Sequence, residues 1–333
     1  MQKYLLAPFD KSDLHNKIFN GPYGILRDLF RDIGIALQTY DQEKIADADK
    51  ILFFNHHPSI LKECENGLID KNKLVLFLFE PEVVFPSQYK KFIWSSYGTI
   101  FTCRDDILGK EKTFHKFRYP QGGKFLSSLP SFANRKYVTL INSNWYSYLP
   151  NEVYSFRRKA IRYFENHSDG FDLFGHGWNN NSILSPKYIF NALKYSRLGQ
   201  YAKDVYEGLH HYRSYRGSVS DKYQTLACYR FAICFENETN TKGYITEKIF
   251  DCFFSGTIPI YLGAQNISEY IPKKCYIDMT QFTNFADLDC MLKQMPEETF
   301  ASYQRAGQDF IRSDSFAEWR PENIFQKIVK ILK

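Results

Sequence analysis

The stretch Phe235-Glu236-Asn237-Glu238-Thr239-Asn240-Thr241-Lys242-Gly243-Tyr244-Ile245-Thr246-Glu247-Lys248-Ile249-Phe250-Asp251-Cys252-Phe253-Phe254-Ser255-Gly256-Thr257-Ile258-Pro259-Ile260-Tyr261-Leu262-Gly263 decides the reading of this chain. It reads as a buried strand, a polar loop, a helix and a second buried strand. Thr246 suits an N-cap, Ile249, Phe250, Phe253 and Phe254 supply a buried face, and Gly256 suits the C-terminal stop. The free N–H groups and the positive end of such a helix make an anion site, apt for a diphosphate. Lys248 is placed to pair with phosphate oxygens, whereas Glu247 is better suited to a neutral diol such as a ribose. Both are also ordinary first-turn charges, so this physics alone does not name the ligand.

Outward from this stretch, near-continuous apolar runs recur: Ile51–Phe54, Leu74–Phe79, Thr99–Thr102, Tyr137–Ile141, Phe171–Phe174, Phe231–Phe235 and Ile258–Leu262. Strands of this kind are covered by helices on both faces and belong to parallel α/β sheets. Helices are expected at Ile25–Gln38, Glu152–Phe164, Asp221–Tyr229, Thr246–Phe254 and Glu297–Arg312. The Pro-, Gly- and Ser-rich segment Arg118–Arg135 reads as a linker. The fold class expected is therefore α/β, with two Rossmann-like domains whose parallel sheets face across a cleft: residues 1–130, residues 136–312, and a C-terminal helix over 313–333 packing back on the body.

A chain of 333 residues that is 44% hydrophobic has material for two cores and excludes disorder. No window reaches the roughly 18 to 20 apolar residues of a membrane helix, and Met1–Pro8 is too short for a signal peptide, so a cytoplasmic protein is expected. The seven cysteines lack paired spacing, which disfavours a disulfide framework or a zinc site. The net charge of +6 is compatible with an anionic substrate, but the basic residues are scattered, which argues against nucleic acid. The basic, amphipathic end Ile324–Lys333 has two readings, packing on the body or peripheral contact with the inner face of a membrane.

The runs Phe235-Glu236-Asn237, Gly243-Tyr244-Ile245-Thr246-Glu247-Lys248-Ile249 and Gly256-Thr257-Ile258-Pro259-Ile260-Tyr261-Leu262-Gly263 resemble the donor-binding block of glycosyltransferase family 10, the bacterial alpha-1,3/1,4-fucosyltransferases. The resemblance covers roughly Tyr137 to Pro272 well and the N-terminal half thinly. It implies the GT-B architecture, with GDP-fucose held by the C-terminal domain, and contacts to the donor from Asn237, Tyr244, Glu247 and Lys248, with Thr246 beside them. It further matches Ser143-Asn144 to a Ser-Asn pair at a strand end. Arg158 matches an Arg that reaches the donor phosphates, with Arg157 as its competitor. Arginine suits that role because its planar fork grips two phosphate oxygens.

Inverting transfer requires a general base for the acceptor hydroxyl. Glu80, closing the apolar strand Leu74–Phe79, resembles the family's catalytic Glu; Glu82 and His56 are the neighbouring alternatives. His176, between two glycines, reads as structural. Asp287-Leu288-Asp289 has the form of a metal-binding Asp-x-Asp motif but reads as a helix opening, where acids are favoured anyway. No cofactor and no essential divalent metal are expected. The expected partners are GDP-fucose and a glycan acceptor, such as GlcNAc in a lactosamine-like or surface polysaccharide unit, for example of lipopolysaccharide. Alternative readings are a glycosyltransferase using another nucleotide sugar, or a noncatalytic carbohydrate- or nucleotide-binding protein.

Overall fold

The computed structural model describes residues 2–178, 184, 186–208 and 212–333. The chain forms two compact units: Met1–Gly122 with Lys242–Tyr244 and Phe316–Lys333, and Gly123–Thr241 with Ile245–Ser315. The first unit therefore closes at Gly122, inside the segment read as a linker, and recovers the last stretch of the chain.

The first unit contains β1 (Gln2–Ala7), α1 (Gly24–Asp32), β2 (Ile35–Thr39), β3 (Lys50–Phe54), α2 (Pro58–Asn66), β4 (Leu74–Leu78), α3 (Lys91–Trp94), β5 (Thr99–Thr102) and β6 (Phe114–Lys116). Its six-stranded sheet has the order β2-β1-β3-β4-β5-β6, parallel throughout. Alternate residues of β3 feed opposite layers, as a pleated strand dictates. Phe54 joins Tyr4, Phe77 and Phe101 on one face, while Phe53 joins Leu76, Ile60 and Cys64 on the other.

One expected helix is corrected. The periodic run Ile25–Gln38 is helical only to Asp32; Gly34 takes φ +79°, and Ile35–Thr39 becomes the edge strand β2, paired with β1. A left-handed glycine ends the helix, and Ile35, Leu37 and Thr39 then bury alternately, with period two.

The second unit contains β7 (Lys136–Ile141), α4 (Tyr154–His167), β8 (Phe171–Phe174), α5 (Pro186–Lys194), α6 (Leu198–Gly208), α7 (Lys222–Ala227), β9 (Tyr229–Phe235), α8 (Glu247–Ser255), β10 (Ile258–Leu262), α9 (Ile267–Tyr270), β11 (Ile277–Asp278), α10 (Phe285–Gln294) and α11 (Glu297–Arg312). The order is β11-β10-β9-β7-β8, again parallel. The sequence leads outward from β9 to β10 on one side and from β7 to β8 on the other, so the switch point lies between β7 and β9. In open α/β sheets, that is where ligands bind, beyond the carboxyl ends of the strands.

The final helix, α12 (Pro321–Leu332), buries Ile324, Phe325, Ile328, Val329 and Leu332 in the first unit's core, and Tyr4 Oη donates to the Leu332 carbonyl at 2.9 Å. Its apolar face is thus covered by protein, which removes the reading in which that face lies on a membrane. Among the described residues, no helix is long and apolar enough to cross one.

Candidate active site

β9 delivers Glu236 to the switch point, with 0% of the residue exposed. Its carboxylate accepts from Thr246 N–H at 2.8 Å, Thr246 Oγ1 at 2.7 Å and Lys248 Nζ at 3.0 Å. Lys248 Nζ also donates to Thr246 Oγ1 at 2.9 Å. A buried carboxylate is tolerated only when so satisfied, and here it ties the strand end to the first turn of the following helix. Thr246 occupies the N-cap position of α8, but its hydroxyl serves Glu236 and makes no capping bond to the helix.

Glu247, half exposed, lies 3.8 Å from Lys248 Nζ and 3.9 Å from Lys222 Nζ. Burial would raise its pKa, yet the ammonium groups of Lys248 and Lys222 outweigh that and hold it down to about 2. Lys222, at the start of α7, also pairs with Asp251 at 2.5 Å, and its pKa is raised by Glu247 and Asp251 against its own burial. The start of α8 therefore carries an ionised carboxylate set between two ammonium groups.

Asn237 follows directly. Its Oδ1 accepts from Arg157 Nη2 at 3.0 Å, and Arg157 Nη2 also donates to the Phe235 carbonyl at 2.5 Å. Arg158 points elsewhere: it is 1% exposed, pairs with Asp204 at 3.0 Å and lies 4.2 Å from the centre of the Tyr146 ring. Of the two neighbouring arginines, Arg157 is joined to the end of β9 and Arg158 is locked in an internal ion pair. Asn144, at the end of the β7 extension, is buried; its N–H donates to the His176 carbonyl at 2.8 Å and Nδ2 to the Gly177 carbonyl at 3.2 Å. Ser143 beside it is partly buried and His176 is exposed. Gly175 takes φ +127°, and a Cβ there would collide with the Asn142 carbonyl, so β7 and β8 approach closely because this residue is glycine.

Residues 242–244 of the same block belong to the first unit. Lys242 O accepts from Asp105 N–H at 2.9 Å, and Tyr244, 2% exposed, meets the Tyr119 ring edge-on at 6.0 Å.

Glu80 of the first unit is partly buried and held by its backbone. Its N–H and that of Phe79 donate to Asn55 Oδ1 at 2.9 and 3.1 Å, and its carbonyl accepts from Gln88 Nε2 at 2.7 Å and Tyr89 Oη at 2.9 Å. Asn55 stands at φ +65° and Gln88 is wholly buried. Glu82 is half exposed, 3.7 Å from Arg104 Nη1. His56 is 4% exposed, with Nδ1 at 2.9 Å from Tyr97 Oη. Burial, aided by His57, lowers its pKa to about 4, so it is neutral at pH 7.

Asp287 and Asp289 lie on α10. Asn284 Oδ1 caps the helix at Asp287 N–H, and Asp289 is turned inward onto Tyr137 Oη and Lys293 Nζ, each at 2.7 Å. A separate cavity of about 440 Å³ in the second unit is lined by Glu152, Phe156, Asn240, Gln265 and Asp278, among others. Sequence reasoning did not single out Glu236, Lys222, Asn55 or Gln88. Only Glu236 carried a local signal, a charged residue directly after a wholly apolar strand.

Residues 192–324 match the family model described as glycosyltransferase family 10 (fucosyltransferase) C-term. An alpha-(1,3)-fucosyltransferase, FucT, of Helicobacter pylori is 43% identical over 68 residues, 20% of this chain and 14% of that protein. An alpha-(1,4)-fucosyltransferase of Arabidopsis thaliana is 34% identical over 83 residues, 24% of this chain and 20% of that one. The chain thus matches less than a quarter of the length of either relative. A crystal structure of an alpha1,3-fucosyltransferase with GDP-fucose superposes over 100% of this chain and 90% of its own, with a TM-score of 0.58 at 17% identity. Anabaena Alr3699/HepE in complex with UDP-glucose superposes over 100% and 99%, with a TM-score of 0.59 at 11% identity. These likenesses carry the two-domain GT-B fold, and within it residues 192–324 are similar to the C-terminal part of glycosyltransferase family 10, the fucosyltransferases.

Proposed function

We propose that this protein is an inverting fucosyltransferase that moves L-fucose from GDP-fucose to a hydroxyl of a glycan acceptor. The observation that carries the reading is the start of α8, where Lys248 is braced by buried Glu236 and Glu247 is kept ionised. An ionised carboxylate accepts hydrogen bonds from the two ribose hydroxyls. Lys248, the helix N-terminus and Arg157, the arginine of α4 that meets Asn237, neutralise the diphosphate in place of Arg158, which Asp204 holds inside. Asn237, Tyr244, Asn144 and Ser143 complete the donor contacts that the family resemblance implies.

In the transfer, the acceptor oxygen bonds to fucose C1 as the bond from C1 to the GDP oxygen breaks, and the hydroxyl proton passes to Glu80. GDP leaves with the added negative charge, which the cationic groups stabilise without a divalent metal. Glu80 is therefore the catalytic base of this reading, ahead of Glu82 and His56. His56, made a weak base by burial and engaged through Nδ1 with Tyr97, is the less apt of the alternatives.

Thermal denaturation with nucleotides, paired with turnover of GDP-fucose on N-acetyllactosamine-type and type 1 acceptors, tests the proposal. GDP and GMP stabilise the protein and UDP does not. Glu80→Gln lowers turnover about a hundred- to ten-thousand-fold while GDP still stabilises. Stabilisation by UDP alone would favour another nucleotide sugar, a reading supported by the equal likeness of the fold to the UDP-glucose complex. GDP binding with no turnover by the wild-type protein on any acceptor would favour a noncatalytic binder.

A further inference from the structure

We propose that the paired helices α5 and α6 form a membrane-docking surface whose partner is an anionic lipid interface. Their inner side is accounted for. Tyr188 and Ala192, at helical spacing on α5, and Tyr195 just beyond it pack with Tyr201 and Val205 of α6 against Tyr146 and Tyr148. The ion pair of Asp204 with Arg158 fastens α6 to the body of the second unit.

The outer side is apolar as well. Ile189, Phe190 and Leu193 of α5 are 39%, 66% and 55% exposed, and Leu198 and Tyr206 of α6 are 51% and 67% exposed. Leu184, just ahead, is 50% exposed. Among the described residues, six of the thirteen large exposed hydrophobics therefore fall within 184–206, where soluble proteins scatter such side chains singly. A helix apolar on two sides needs something to cover the second.

Charge selects the occupant. Lys194, which closes α5, and Arg197, in the turn before α6, are the cations of this segment, while Asp204 is engaged inside by Arg158. Lys194 and Arg197 are exposed beside the apolar side chains. A second copy of the chain would bring the same positive field against itself, whereas anionic headgroups complement it. Exposed Phe, Leu and Tyr flanked by Lys and Arg are the composition of a helix that lies in the headgroup layer. The inference is independent of fucosyl transfer and relocates the lipid contact from α12, whose apolar face is buried, to α5 and α6.

The test is co-sedimentation of the full chain with vesicles of phosphatidylcholine alone and of phosphatidylcholine mixed equally with phosphatidylglycerol. The protein is expected to pellet with the anionic vesicles and to be released by salt. Phe190→Ser with Leu193→Ser lowers the partition coefficient about tenfold or more, and Lys194→Glu with Arg197→Glu removes the preference for anionic lipid. All four side chains lie outside the core, and unchanged thermal denaturation verifies folding in each variant. Wild-type protein left in the supernatant with both vesicle types would overturn the proposal, as would variants that bind like wild type. A dimer in sedimentation velocity that Phe190→Ser with Leu193→Ser dissolves would assign the surface to a second copy instead.

Discussion

The Glu236 carboxylate, sealed at the end of β9, sits 3.0 Å from Nζ of Lys248, the second residue of α8. Replacing Glu236 by Ala leaves that ammonium and the Thr246 N–H without their acceptor. Removing one partner of a buried pair costs about 3–5 kcal/mol. Denaturant unfolding of Glu236→Ala is expected to show a loss of about 3 kcal/mol, with a smaller loss for Glu236→Gln, which keeps one acceptor oxygen. Stabilisation by GDP should fall in both, because Lys248 is no longer held; a wild-type midpoint would remove Glu236 from this role.

Asn55 makes a second test, in the other unit. Its side-chain oxygen collects the N–H groups of Phe79 and Glu80 while its backbone stands at φ +65°. Asn55→Gly keeps the backbone and loses the bonds, at about 1–2 kcal/mol. Asn55→Ala adds left-handed strain of about 1 kcal/mol or more. Unfolding midpoints should rank wild type, Gly, Ala, and turnover should fall in both variants as Glu80 loses its backbone anchor.

Stability should also depend on acid through His56. Its pKa in the folded protein, about 4, lies below the ordinary 6.5 because burial disfavours the charged ring. As pH falls, the unfolded chain takes up the proton first. The contribution of neutral His56 is therefore complete above pH 6.5, is lost progressively down to about 4, and amounts to about 3 kcal/mol. His57, lowered by burial against the carbonyls of Phe54 and Pro8, acts in the same direction. Urea midpoints at neutral and acid pH should converge less steeply in His56→Gln than in wild type; equal slopes would refute the assignment.

The seven cysteines should divide by access. Cys228 and Cys290 are exposed, whereas the other five are buried, and Cys234 and Cys252 face each other at 3.2 Å between their sulfurs. Burial, then the bond from Cys234, raises the Cys252 pKa and withholds the thiolate that reacts. Native protein should therefore lose two thiols quickly to a disulfide reagent, mapped by mass spectrometry to positions 228 and 290. Rapid labelling of Cys252 would contradict the packing of α8 on β9.

Residues 235–263 were legible because their signals are local. Thr246 and Gly256 bound a helix whose apolar residues repeat every three to four positions, and α8 spans Glu247–Ser255. Likewise α11 occupies Glu297–Arg312, with the bounds its periodicity sets. At Ile25–Gln38 two periods overlap, and only the conformation of Gly34 decides where helix yields to strand. Arg157 and Arg158 illustrate a different limit. Neighbours on a helix point about 100° apart, so which one meets Asn237 depends on how α4 rolls against β9. The cradle of Asn55 and Gln88 around Glu80 joins residues 25 and 8 positions away, a relation set by strand register.

The route of the chain has a consequence for its biosynthesis. The sheet face formed by Tyr4, Leu6 and Phe54 is roofed in part by Phe325 and Ile328 of α12. The strands of the first sheet leave the ribosome before those of the second, yet part of their cover arrives with the twelve residues of α12, after the whole second sheet has been synthesised. During translation that surface stays greasy and open, a stretch in which a nascent-chain chaperone is of most use. A stop codon just before Pro321 would do its damage some three hundred residues upstream, stripping protection from strands made long before it.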